Sequence, residues 1–232
     1  MGHTSIICLL ILLVLQLGSG CTYMESRFEQ RVEPHLDEIL VYQRPVLDRS
    51  RNGIHVYPVS RAAHDLKALF FPFYAHPETG GNYNTGRRIG HTFWRTWLGQ
   101  EVFPVMHYQD TQDWPGRKKA GDLARKMGAD LYVMGQVSHY LGGGTRGTTS
   151  IALKVNIFSA QNDDLIWSME HSGRIDNRGE MDFILIKRRT WMPESPEYVI
   201  VNKLAYDLAQ PVKNWARGTI PDHALTRPGP GY

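Results

Sequence analysis

Between Thr149 and Phe158 the chain alternates almost without fault: Ile151, Leu153, Val155 and Ile157 against Ser150, Ala152, Lys154 and Asn156. A period of two sends successive side chains to opposite faces of a strand, so one face is made for a core and the other for water. Polar turns bracket it, Gly142-Gly143-Gly144-Thr145-Arg146-Gly147 before and Ala160-Gln161-Asn162-Asp163-Asp164 after. Beyond the turns lie two more strand-like stretches, 129–141 and 165–175. Three consecutive strands on hairpin turns lie antiparallel. Whatever fold this chain takes has to contain that meander.

Upstream the pattern changes. Leu66 to Tyr74 is a near-continuous apolar run, as expected of a strand covered on both faces. Ile89, Phe93, Trp94, Trp97 and Leu98 fall at helical spacing, which predicts an amphipathic helix over 85–100. A short strand follows at 103–108. Asp113-Trp114-Pro115 opens a second helix, with Asp113 as its cap, Ala120, Leu123, Ala124 and Met127 on one face, and Gly128 as the glycine that ends it. Gly135, in the middle of the next strand, predicts a bulge or the close approach of another backbone. Residues 176–194 read as irregular. Ser195-Pro196-Glu197 then opens a last helix, striped by Val201, Leu204, Ala205, Leu208, Val212 and Trp215, and Pro211 is expected to kink it or detach its last turn. The fold class is therefore α/β, with a mixed sheet in the order β-α-β-α-β followed by antiparallel hairpin strands and a C-terminal helix.

The start of the chain has another purpose. Ile6 to Leu15 is aliphatic except for Cys8, too short for a bilayer core of roughly 30 Å, and reads as a secretory leader. It closes on Leu17-Gly18-Ser19-Gly20-Cys21, which resembles the lipobox of bacterial lipoproteins. That resemblance implies cleavage before Cys21, a diacylglycerol thioether and an acylated amine there, and stable membrane attachment through more than one acyl chain. Thr22 stands where an Asp would favour inner-membrane retention, so the expected address is the periplasmic face of the outer membrane. The organisation read from the sequence is a signal peptide over 1–20, a lipidated tether over 21–53, an α/β domain over 54–216 and a disordered tail over 217–232. Within the tether, 25–40 has the content of a weak helix; Ile54 to Tyr57 forms a short strand that Pro58 ends.

Ala129-Asp130-Leu131-Tyr132-Val133-Met134-Gly135-Gln136-Val137 resembles a strand that recurs in three related periplasmic groups. They are the N-terminal domain of TolB, the curli-secretion lipoproteins and the lipoprotein activators of penicillin-binding proteins. Ala68-Leu69-Phe70-Phe71-Pro72-Phe73 is similar to their first strand, and Leu165-Ile166-Trp167-Ser168 to their last. The resemblance spans roughly 66–215. It implies a fold and an envelope setting, and no reaction, because none of the matching residues carries chemistry.

Candidate chemistry is thin. The 10 histidines include no HxH or HxxxH pair, so three converging metal ligands cannot be placed. The loop 142–147 lacks the Gly-Lys-Ser/Thr ending and following helix of a phosphate loop. No Gly-x-Ser-x-Gly elbow is present, although triads also assemble from distant sequence. A net charge of +3 with short basic runs at 117–119 and 187–189 falls well short of a nucleic-acid face. After removal of the leader Cys21 is the only cysteine, which excludes an intrachain disulfide. The expectation is a non-catalytic accessory or assembly subunit without a cofactor, metal or nucleic acid, meeting a periplasmic or outer-membrane protein. The surface expected to meet it gathers Trp191, Arg188 and Arg189, with Arg146 at a hairpin tip, since interfaces favour aromatic residues and Arg. The competing expectation is a small-ligand-binding or hydrolytic lipoprotein that uses the loops 75–86 and 142–147, around His76 and Arg146.

Overall fold

The computed structural model describes residues 39–43, 46–58, 60, 62, 65–79, 82–176, 180–183, 186–190 and 192–218. In chain order its strands and helices are β1 (Ile39–Gln43), β2 (Leu47–Arg49), β3 (Gly53–Val56), β4 (Lys67–Phe70), β5 (Tyr74–Ala75), α1 (Tyr83–Gly99), β6 (Val105–Tyr108), α2 (Gly116–Lys126), β7 (Leu131–Leu141), β8 (Thr149–Ser159), β9 (Leu165–Ile175), β10 (Glu180–Phe183), β11 (Ile186–Thr190) and α3 (Pro196–Ala216). They divide into two units. One holds β1, β10 and β11, which form a three-stranded sheet in the order β1-β11-β10. The other holds a mixed eight-stranded sheet in the order β2-β9-β8-β7-β4-β6, with β3 added on β9 and β5 on β7.

The meander is as the alternation predicts. β8 pairs antiparallel with both β7 and β9, and its residues alternate between buried and half-buried from Thr149 to Ile157. β4 lies parallel to β6 and β7, the geometry that crossover helices require. Odd and even residues of β4 and β7 feed two cores on opposite faces. Ala68, Phe70, Leu131 and Val133 join α1 and α3 in the larger core; Leu69, Phe71, Tyr132 and Met134 join Ala120 and Ala124 of α2 in the smaller. Trp97, fully buried on α1, donates its indole N–H to the carbonyl of Ala205 at 2.9 Å and so ties α1 to α3.

Several local expectations are corrected. The apolar run 66–74 is not one strand: β4 ends at Phe70 and β5 resumes at Tyr74, because Pro72 has no N–H for a ladder. The freed backbone is used by α1 instead. Cβ atoms at Gly86 and Gly90 would lie 2.1 Å from the Phe73 carbonyl oxygen and 2.8 Å from its nitrogen, so only glycine lets α1 cross there. The same Phe73 explains Gly135. A Cβ on Gly135 would stand 2.4 Å from three atoms of the Phe73 ring, so what approaches the strand is an aromatic ring and not another backbone. The register shift of β7 lies beyond it, between Val137 and His139.

Asp113 does not cap α2. The helix starts at Gly116 behind Pro115, with no side-chain cap, and Gly116 turns in with φ +69°. Gly128 does follow its end with φ +64°. α3 has Pro196 in its first turn and runs unbroken through Pro211, although Ser195 makes no capping hydrogen bond. Residues 180–183 and 186–190, expected to be irregular, are paired strands. β1 and β2 fall within the stretch expected to be tether, and residues 39–40 are strand where a weak helix was expected. The rest of that helix, the expected leader and the tail beyond Gly218 lie outside the described residues. Among the described residues, no helix is long and apolar enough to cross a membrane.

Candidate functional site

Cys21 and Trp191 lie outside the described residues. Arg188 and Arg189 lie on β11, opposite Met181 and Glu180 of β10. Arg146 is exposed in the turn between β7 and β8. His76 sits beside a carboxylate, with Nδ1 3.7 Å from Oε2 of Glu78, but the Glu78 side chain is 88% exposed. That pair sits in the open.

Two grooves flank the helices. One of about 260 Å³ runs between α1 and the start of α3, lined by Arg88, His91, Ser195, Glu197 and Tyr198 among others. Arg88 donates to Glu197 at 2.8 Å, and the Tyr140 hydroxyl donates to the other oxygen of the same carboxylate. Burial first, then the Glu197 contact, pushes the Tyr140 phenol up. Next to the groove the rings of His91, Trp94 and Tyr108 meet tilted or edge-on, with centroids 5.4–5.6 Å apart. Among the described residues, the indole N–H of the half-buried Trp94 has no partner. The second groove, about 420 Å³, lies at the far end of α1, with Leu98, Val102, Phe103, Pro104 and Met106 on its walls and Asp65, Glu101 and Arg217 beside them.

A third constellation was not legible from sequence. Ser50 Oγ is 3.0 Å from Nδ1 of His171, and His171 Nε2 is 3.2 Å from Oδ2 of Asp207. Serine, histidine and aspartate are thus in line, from the β2–β3 junction, β9 and α3. Their roles differ from those of a nucleophilic triad. Ser50 Oγ accepts the backbone N–H of Ser172 at 3.0 Å, while Ser50 N–H donates to the Ser172 carbonyl at 3.0 Å, so Ser50 belongs to the sheet edge. The His171 side chain is 1% exposed, and Asp207 Oδ2 is shared with the Arg49 guanidinium. A nucleophile needs an open approach to both hydroxyl and imidazole. This cluster instead joins three elements. One signal could have found it: His171 stands in phase with Trp167, Met169 and Ile175, on the inward face of β9.

No family model matches the chain, and no curated protein matches it. Solved structures do share part of the architecture. The PelC dodecamer of Paraburkholderia phytofirmans overlays 71% of this chain and 97% of its own, with 14% identity and a TM-score of 0.45. Lipoprotein GNA1162 of Neisseria meningitidis overlays 52% of this chain and 90% of its own, with 14% identity and a TM-score of 0.34. The C-terminal domain of LpoB from Salmonella enterica overlays 49% and 86%, with 17% identity and a TM-score of 0.29. Overlays of this extent are a matter of partial topology and assign no activity.

Proposed function

We propose that this chain is a lipid-anchored envelope protein on the periplasmic face of the outer membrane, a non-catalytic accessory or assembly subunit that presents its α/β domain to a protein partner. The observation that carries the reading is the leader: an aliphatic run from Ile6 to Leu15 that closes on Leu17-Gly18-Ser19-Gly20-Cys21. Small residues before the cysteine admit a peptidase, and acyl chains on Cys21 then hold the mature chain at a membrane. The absence of a reaction is supported by the Ser50–His171–Asp207 line, whose imidazole is sealed from any substrate. Partner contact falls to Trp191, Arg188, Arg189 and Arg146, aromatic and cationic groups of the kind that anchor interfaces.

Labelled palmitate tests the anchor. The wild-type chain takes up label and fractionates with membranes; Cys21→Ala takes up none and is released. Label retained by Cys21→Ala overturns the reading. Affinity capture from solubilised envelopes tests the role: a partner recovered with the wild type is lost from the double variant Trp191→Ala, Arg146→Ala, and an unchanged yield removes those residues from the interface.

A further inference from the structure

The segment from Val46 to Val56 behaves as a strap. It lies along β9 as β2 and β3, but the pairing is interrupted over 50–52, between Arg49↔Gly173 and Gly53↔Glu170. There Ser50 keeps a backbone bond to the Ser172 carbonyl, and side chains add further ties. Ser50 meets His171 Nδ1, the Arg49 guanidinium meets Asp207 Oδ2, and Asn52 Nδ2 donates to the Asp207 carbonyl at 3.3 Å. Leu47 packs over Gly173, where a Cβ would stand 3.3 Å from Leu47 and 3.0 Å from Ile200 of α3. The strap is thus fixed to the sheet and to α3 through one neutral imidazole and one carboxylate.

We propose that the Ser50–His171–Asp207–Arg49 cluster is a pH-sensitive latch, which holds the 46–56 strap on β9 and α3 while His171 is neutral and loosens it when His171 takes a proton. Neutral His171 has one hydrogen, which Nε2 donates to Asp207, leaving Nδ1 to accept from the Ser50 hydroxyl. That arrangement suits Ser50, whose oxygen already accepts the Ser172 N–H. Protonation puts a hydrogen on Nδ1, so that N–H and the Ser172 N–H both point at the Ser50 oxygen, and the Ser50 hydroxyl loses its acceptor. It also crowds Asp207 with cations. Arg49 and His171 share Oδ2, and Lys203 Nζ lies 3.5 Å from Oδ1. One carboxylate then faces three positive groups, one of them an imidazole buried to 1% exposure, and Arg49 is the one the strap carries. These are the charged groups that face His171 from the strap and from α3; on the sheet its cross-strand neighbour on β8 is the apolar Leu153. Burial, opposed by Asp207, lowers the affinity of His171 for a proton while the strap is closed. The sign follows from linkage. The open strap exposes an ordinary histidine that binds protons more readily, so closure is fully favoured above about pH 6.5 and weakens as pH falls below it. The inference stands apart from the lipid anchor.

Amide hydrogen exchange on the full chain, read at pH 7.5 and 5.5 and corrected for intrinsic rates, tests it. Protection over 47–56 falls in acid, by at most about tenfold per pH unit for one proton, while β8 amides keep theirs. In His171→Gln the strap's protection no longer depends on pH. Should that variant not fold, the wild-type imidazole resonance of His171 replaces it, and its titration midpoint coincides with strap opening. Strap protection that is equal at both pH values overturns the latch. So does loss of β8 protection in parallel, or strap opening without titration of His171.

Discussion

Gly135→Ala adds one methyl group to the middle of β7, at a point where a strand ordinarily gains from it. Alanine narrows the unfolded ensemble and improves on glycine by roughly 0.5–1 kcal/mol where the native geometry tolerates it. Here the new carbon would sit 2.4 Å from three atoms of the Phe73 ring, and an ordinary carbon contact needs a retreat of about 1 Å. The ring has nowhere to go. Phe73 is fully buried, its ring stands 5.1 Å from that of Phe93, and its backbone is clamped against Gly86 and Gly90 of α1. Overpacking of this kind costs about 1–3 kcal/mol, which outweighs the backbone gain, so Gly135→Ala is expected to be net destabilising by roughly 1–2 kcal/mol. The decisive measurement is a double-mutant cycle by urea unfolding. Phe73→Leu alone leaves a void, but combined with Gly135→Ala it makes room for the methyl group, and the pair should be coupled favourably by about 1 kcal/mol or more. A Gly135→Ala protein as stable as the wild type, or strictly additive costs in the double variant, would refute the account of this glycine.

Trp97→Phe keeps much of the apolar bulk but loses the bond to the Ala205 carbonyl; it should cost about 1–3 kcal/mol in urea unfolding with an unchanged slope. Tyr132→Phe removes the hydroxyl that donates to Asp163, a residue that also pairs with Arg117 at 3.1 Å and turns at φ +65°; about 1 kcal/mol should be lost. Burial and then Asp163 push the Tyr132 phenol up to about 12, so Tyr132→Phe should leave the native absorbance change near pH 10 undiminished.

The legible parts of this fold were those written in local periodicity. β8 carries Ile151, Leu153, Val155 and Ile157 on one face, β9 sets Trp167, Met169 and Ile175 in phase, and α1 and α3 carry stripes that no other spacing explains. The misread parts were settled by partners distant in sequence. The run 66–74 is apolar throughout, so hydrophobicity could not reveal that Pro72 breaks it and that α1 fills the break. Asp113 has the chemistry of a cap, yet the chain turns at Gly116 first. The strands 180–183 and 186–190 carry Lys187, Arg188 and Arg189, and charge masked their pairing. The polar cluster was invisible for a different reason. Ser50 and Asp207 lie 121 and 36 positions from His171, and nothing in a single sequence links a serine at a strand break to an aspartate on the last helix.

The connectivity of the sheet has a kinetic consequence. β7, β8 and β9 meet through short turns, so their pairing closes small loops and can precede everything else. The strap reaches β9 across more than a hundred residues, since Ser50 and Ser172 are 122 positions apart, and Trp97 finds Ala205 across 108. Contacts of that separation carry a large loop-closure entropy and form on the native side of the barrier. Changes in the meander should therefore alter how fast the chain folds, and changes in the strap or at the α1–α3 contact how fast it comes apart. The second quantity sets how long the folded state lasts once it is made.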